Sequence, residues 1–344
     1  MELLKELCQV PGISGREQAV IDIMKRELEQ TCDSVMVDAM GDVIGYKKAV
    51  KDNAKKVLIA GHMDEIGFVV SYIDDKGFLR MQPAGGFDPR TLMAQRVTVH
   101  GREDLPGVIG SKPVHILTEE EKKKPLQIKD YFIDLGLPKE KVDKLVKVGD
   151  PVTMYRKFEE LGDCYTAKTF DDRVGVYCMI EAARKMKRSP ADVYIVATTQ
   201  EEVGLRGALA SSSGIDPDIG IALDVTLAND VPGADGPSEI SHLGDGASLC
   251  IMNGASITNP KLMDRFEELA KRKKIPYQKD VMPRGGTDAG AIQRVKGGAA
   301  VITLSIPCRY VHSTVETVHK TDVQAVIDLL AAYLETPGDM DYNL

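Results

Sequence analysis

The chain contains no tryptophan, and aromatic residues make up only 5% of it. That removes the best stacking surface available to a sugar-binding site. No apolar run approaches the length needed to span a bilayer, and residues 1–9 hold no signal-peptide core. The expected compartment is therefore the cytoplasm, with no membrane partner. The six cysteines, Cys8, Cys32, Cys164, Cys178, Cys250 and Cys308, are scattered and form no C-x-x-C pair. Free, mostly buried thiols are expected rather than a disulfide framework or a thiolate zinc knot. Positive charge is also in deficit: 44 Lys and Arg against 52 Asp and Glu leave a net charge of −8. On that balance nucleic acid is not an expected partner. There is no internal repeat and no low-complexity segment.

What is present suits a globular protein, with 43% apolar and 28% charged residues in 344, enough for one large domain or two. The chain is organised around residues 193–207, VYIVATTQEEVGLRG. Residues 193–199 are a β-branched run of strand length that stops at Glu201 and Glu202, followed by Gly204 and Gly207. Adjacent side chains past a strand end face different sides, so one Glu is free to hold a metal while the other handles protons. Alone, the pair reads as a solvated acidic turn.

Other segments repeat this pattern. Residues 55–60, KKVLIA, form a short buried strand ending at Gly61-His62-Met63-Asp64-Glu65. His62 and Asp64, two apart, share a side if the extended backbone continues; alone they read equally as a polar strand end entering a loop or as a ligand imidazole with the carboxylate that fixes its tautomer. Phe170-Asp171-Asp172-Arg173 precedes an apolar helix over 174–185; the two aspartates read either as helix-start charges or as a bridging ligand, Asp171, supported by Asp172. Residues 219–223, IGIAL, end at Asp224, and the strand over 299–306 runs on to His312. Arg284-Gly285-Gly286-Thr287-Asp288 is a glycine turn into a short helix, with Thr287 as its N-cap.

The remaining segments read as scaffold. Residues 14–30 predict an amphipathic helix with Ser14 and Glu17 at capping-box spacing and an apolar stripe of Val20, Ile23, Met24 and Leu28. Packing alone accounts for this end. Thr321 and Gln324 repeat the capping-box spacing at the last helix. From 67 to about 161 the texture changes to short strands separated by turn signals, beginning with a hairpin around Asp74-Asp75-Lys76-Gly77. This predicts a small β-rich module inserted into an α/β domain. His100, His115, His242 and His319 are read as structural or surface histidines, and residues 229–237 as a turn-rich loop.

In open α/β sheets the functional crevice lies outside the carboxyl ends of the strands. His62, Glu201, Glu202, Asp224 and His312 follow such ends, and Asp171 joins them from a helix start. Two imidazoles and three carboxylates suit a pair of borderline divalent ions such as Zn²⁺ or Co²⁺, bridged by Asp171. Such ions acidify a water and polarise a carbonyl oxygen, with Glu201 as general base. The chemistry expected is that of a metallopeptidase.

The motifs GHMDEIG at 61–67, FDDRVG at 170–175, QEEVGLRGA at 200–208, ALDVT at 222–226, GGTDAG at 285–290 and His312 after IPCRYVHS carry a resemblance that runs essentially end to end. The chain resembles the M42 metallo-aminopeptidases, which include the tetrahedral and glutamyl aminopeptidases. The resemblance implies His62, Asp171, Glu202, Asp224 and His312 as ligands of two metal ions, Glu201 as catalytic base and Asp64 as the carboxylate orienting His62. It implies an α/β fold: a three-layer catalytic domain, 1–66 and 164–344, with a central mixed sheet and helices on both faces. A PDZ-like β-barrel domain over 67–163, used in dimerisation, is implied as an insertion. Assembly as dodecamers with an enclosed interior, which limits substrates to peptides, is implied as well.

Three other functions are weaker readings. A two-metal deacylase of N-acyl amino acids uses the same machinery with a different pocket. An endoglucanase-type glycoside hydrolase needs two carboxylates across a sugar bond, but metal ligation uses up those at hand and tryptophan is absent. A non-enzymatic assembly protein leaves the ligand set and Glu201 unexplained. Arg206 and Arg284 are candidates for a substrate carboxylate, with salt bridges inside the fold the expectation for both.

Overall fold

The computed structural model describes residues 1–234 and 236–343. Asp235, inside the predicted loop 229–237, lies outside the described residues. An 11-stranded mixed sheet forms the main body. Its centre is four parallel neighbours: Asp192–Thr198, Lys56–His62, Ile219–Leu227 and Ala300–Arg309. These are the apolar runs picked out from the sequence. Continuous runs of this kind are what a parallel strand covered on both faces requires.

Alternation along the strands divides the core in two. Val57, Ile59, Ile195, Ile221 and Leu304 point to one face, which is packed by Glu2–Gln9, Gln18–Glu29, Phe170–Lys185, Pro260–Lys273 and Lys320–Glu335. Leu58, Ala60, Val196, Ala222 and Val301 point to the other, where Ile215, Ala289 and Ile292 cover them from Arg206–Ile215 and Ala289–Ile292. The architecture is thus three-layered. Register decides where the strand ends fall. Thr198 pairs with His62 and Ala222 with Ala60, so the carboxyl ends of these strands reach one rim, with Asp224 level with His62.

Between Lys56–His62 and the helix Phe170–Lys185 the chain builds a second sheet. Gly67–Ile73, Leu79–Ala84, Tyr131–Asp134, Asp104–Ser111, Arg96–His100 and Pro151–Met154 close, in that order, into an antiparallel barrel. It has its own core of Phe68, Val70, Leu79, Val97, Val99, Ile109, Ile133 and Val152. Closure removes the exposed edges that six short strands would otherwise present. The strand Glu159–Leu161 is already back in the large sheet, paired with Cys164–Ala167.

Local signals misled at three helix starts. The helix predicted over 14–30 spans Gln18–Glu29, and Ser14 and Glu17 form no capping box. Ser14 Oγ donates instead to Asp64 Oδ2 at 2.6 Å, and Glu17 Oε1 accepts the Gly15 and Gln200 amides at 2.7 and 3.2 Å. The last helix begins at Lys320 behind an N-cap His319, whose Nδ1 accepts the Thr321 amide at 3.2 Å. The N-cap at the glycine turn is Asp288, while Thr287 Oγ1 lies 2.9 Å from Thr303 Oγ1. Among the described residues no helix is long and apolar enough to cross a membrane.

Candidate metal centre and active site

The rim where the parallel strands end opens into a cavity of about 810 Å³ lined by Asp171, Glu201, Glu202, Asp224 and His312. His62 lies behind Asp171, only 1% exposed, and Asp64 is wholly buried beneath it. Asp171 is the hub. Its Oδ1 lies 2.9 Å from His62 Nε2 and its Oδ2 lies 3.2 Å from His312 Nε2. His312 Nε2 is also 3.3 Å from Glu202 Oε1. The neighbouring Glu201 turns the other way, with Oε2 4.0 Å from His62 Nε2. The two glutamates therefore diverge, as expected for adjacent residues past a strand end.

Local backbone sets these directions. Asp171 and Asp172 interrupt the helix Phe170–Lys185 with non-helical torsions, ψ of 104° and 36°, and the peptide between them is cis. Asp172 faces inward: its Oδ2 accepts the His62 amide at 3.2 Å and its Oδ1 the Gly175 amide at 3.1 Å. His312 has a left-handed φ of +61°. Asp64 does two things at once. Its Oδ1 lies 3.5 Å from His62 Nδ1, while its two oxygens accept the amides of Glu201 and Glu202 at 2.9 and 3.2 Å.

The electrostatics call for positive charge. Burial opposes a charged His312, but Asp171 and Glu202 outweigh it and hold the imidazole up to about 12. Burial likewise opposes a charged His62, and Asp171 and Asp64 hold it well above its usual value. Burial pushes the carboxyls of Glu201 and Asp224 well up, and neighbouring carboxylates add to both shifts. Glu202 Oε1 is buried and makes no hydrogen bond. Ligand atoms of His62, Asp171 and Glu202 all lie within 4.8 Å of one another. A divalent cation suits this set: it offsets the crowding of buried carboxylates and displaces protons that the imidazoles otherwise keep.

Some residues of the site escaped the sequence reading. Glu316, 1% exposed, accepts the Asp171 amide on Oε2 at 3.0 Å and the His312 amide on Oε1 at 2.8 Å, so one carboxylate ties two members of the set together. Its one visible signal is a charged residue in an otherwise β-type run soon after His312. Asp288 is buried with Oδ1 unpartnered, and its Oδ2 accepts the Thr198 hydroxyl. It lies in the motif GGTDAG, which by itself suggests no role for it. Neither candidate arginine makes a salt bridge among the described residues. Arg206 donates to Gln200 Oε1 at 3.2 Å, and exposed Arg284 lines the cavity.

A family model described as M42 glutamyl aminopeptidase matches residues 41–329. The lysyl aminopeptidase of Pyrococcus furiosus is 38% identical over 349 aligned residues, covering 99% of each chain. Among solved structures, aminopeptidase APDkam598 from the archaeon Desulfurococcus kamchatkensis superposes with a TM-score of 0.95 at 42% identity, over 99% of this chain and 95% of that one. The TET1 peptidase of Pyrococcus horikoshii, described as assembling into a tetrahedron or a large octahedral shell, gives a TM-score of 0.86 at 32% identity, over 97% and 99%. The chain belongs to the M42 peptidase family, and it is an aminopeptidase-type hydrolase.

Proposed function

We propose that the protein is a metal-dependent aminopeptidase that removes N-terminal residues from peptides, with Glu201 as general base. In this reading His62, Asp171, Glu202, Asp224 and His312 hold two divalent ions, Zn²⁺ or Co²⁺, with Asp171 shared between them. When bound, the ions supply Lewis acidity that lowers the pKa of a water and polarises the scissile carbonyl. Glu201 takes the proton from the attacking water and delivers it to the leaving amine. Burial raises the proton affinity of this carboxylate well above its usual value, which is the direction a general base needs. Asp64 orients His62, whose Nδ1 lies 3.0 Å from the Asp64 carbonyl oxygen and 3.5 Å from its carboxylate, and anchors the backbone of the acidic pair. The observation that carries the reading is Asp171 set between two imidazoles, with Glu202 Oε1 3.3 Å from the second of them.

The expected substrate has a free α-amine. Aminoacyl p-nitroanilides are turned over and their N-acetylated counterparts are not; the opposite preference overturns the assignment in favour of a deacylase. The cavity wall is apolar at Leu205, Val225, Leu227, Ala255 and Met282, with Arg284 as a cation free of ion pairs among the described residues. We read Arg284 as the partner of a substrate carboxylate. Arg284→Ala lowers kcat/KM for the glutamyl anilide roughly tenfold relative to the leucyl one, the worth of one charge-assisted hydrogen bond. An unchanged ratio removes Arg284 from specificity.

The segment 67–163, with its closed barrel, is proposed as an inserted dimerisation unit, and the assembly as a dodecamer built from such dimers. The closed assembly described for the TET1 peptidase, and the dodecamer described for the related PhTET1-12s structure, support the multi-chain part of this reading. Light scattering of the purified protein is expected to give one species of twelve chains; a stable monomer excludes it.

A further inference from the structure

Four consecutive backbone amides lead into the acidic pair, and each donates to a carboxylate. Thr199 N–H donates to Asp42 Oδ1 at 2.8 Å and Gln200 N–H to Glu17 Oε1 at 3.2 Å. Glu201 N–H and Glu202 N–H donate to the two oxygens of Asp64 at 2.9 and 3.2 Å. These acceptors are buried: Asp42 and Asp64 are 0% exposed and Glu17 is 4%. They come from separate stretches of the chain, all N-terminal to the barrel. Asp64 is held in turn by Ser14, so the loop before the helix Gln18–Glu29 touches the turn twice, once directly through Glu17 and once through Asp64.

Gln200 is the member of this run with an unusual backbone, at φ +55°. That is the left-handed region, which costs free energy for any residue carrying a Cβ and persists only where the surroundings fix it. The residue stands between the strand Asp192–Thr198 and the acidic pair. Its conformation turns the chain off the strand and sends Glu201 toward His62 while Glu202 goes toward His312. Glu17 is the side chain seated on its amide. The same Oε1 also accepts the Gly15 amide at 2.7 Å, which fixes the carboxylate from its own side.

We propose that Glu17 is a positioning residue for the acidic pair: its carboxylate holds Gln200 in the left-handed turn that aims Glu201 into the cavity. The proposal rests on the reading of Glu201 as general base. A displacement of about 1 Å at a reacting group costs up to about 10²-fold in rate. A glycine at 200 sits in the left-handed region without help, whereas a β-branched residue there is a marked outlier.

The test uses the full-length, metal-loaded enzyme with a p-nitroanilide substrate. Glu17→Ala is expected to lower kcat by roughly 10- to 100-fold, with KM within about twofold and metal content unchanged. Glu17→Gln, which keeps an oxygen acceptor of the same shape, retains most of the rate. Adding Gln200→Gly to Glu17→Ala restores at least about tenfold of the loss or, where the loss is smaller, most of it. A purely structural Glu17 lowers the melting temperature of Glu17→Ala but leaves kcat of the folded enzyme intact, and that result overturns the proposal. So does a loss that Gln200→Gly fails to relieve. If Glu17→Ala does not fold, Gln200→Val puts the same question: it reproduces the fall in kcat with Glu17 in place, and an unchanged kcat overturns the proposal. Glu201→Gln separates this idea from the reading beneath it. Lost turnover there with full turnover in Glu17→Ala sinks only the positioning role. Full turnover in Glu201→Gln sinks the base assignment itself.

Discussion

Glu201→Gln is expected to lower kcat by about 10²- to 10⁴-fold, the usual worth of a positioned general base, with KM and metal content unchanged. The substitution is nearly isosteric. It leaves the Glu201 amide on Asp64 Oδ1 and the Glu202 side chain beside His312, so the ligand set is not disturbed. What disappears is an oxygen that can take a proton. Burial raises that oxygen's proton affinity, and the charges of Asp224, Asp288 and Glu202 add to the effect against the opposing His62. A carboxylate whose proton affinity is raised in this way is a better acceptor of a proton from water than an exposed one. Steady-state kinetics with elemental analysis of the same preparation checks both halves of the expectation. A variant with full kcat removes Glu201 as base; one that loses its ions reassigns it as a ligand.

The parts of this site legible in the sequence and the parts that were not differ in a physical way. The central parallel strands announce themselves because both faces are covered, so every position is apolar and the run is continuous. His62, Glu201, Glu202 and Asp224 stand just past such runs, and the shared rim comes from the sheet topology. Glu316, Glu17 and Ser14 were not legible as site residues. Glu316 and Glu17 act on backbone amides at Asp171 and Gln200, 145 and 183 positions away, and an amide leaves no residue-type signature. Ser14 and Glu17 were also masked by a spacing that copies a capping box. The local bonds were outcompeted because burial brings Asp64 and the Gln200 amide within reach of the same two side chains. A capping box and a long-range anchor are the same four letters until the fold is known.

If two ions are held as proposed, Asp171→Asn is expected to remove at least one of them and to lower kcat/KM by at least about 10³-fold, since a metal's share of transition-state stabilisation is several kcal/mol. Asp171 presents one oxygen to each imidazole. Asparagine keeps the shape and the hydrogen bond that the residue 171 backbone N–H donates to Glu316, but it turns one of the two side-chain oxygens into a donor. Whichever way the amide flips, one side of the bridge faces a cation with N–H groups. Asp64→Asn is the contrasting variant. It leaves Asp171 in place and acts on His62 and on the amides of Glu201 and Glu202, so its expected mark is a fall in kcat with the bound metal retained, where Asp171→Asn loses metal. Binding gives a readout that does not depend on turnover. An ion that binds only the folded state raises the melting temperature by an amount that grows with the logarithm of its concentration over Kd, so Zn²⁺ or Co²⁺ should stabilise the wild type and stabilise Asp171→Asn much less. If Asp171→Asn keeps two ions per chain and the full thermal shift, the carboxylate is not a bridge, and the imidazoles on either side of it must belong to separate sites.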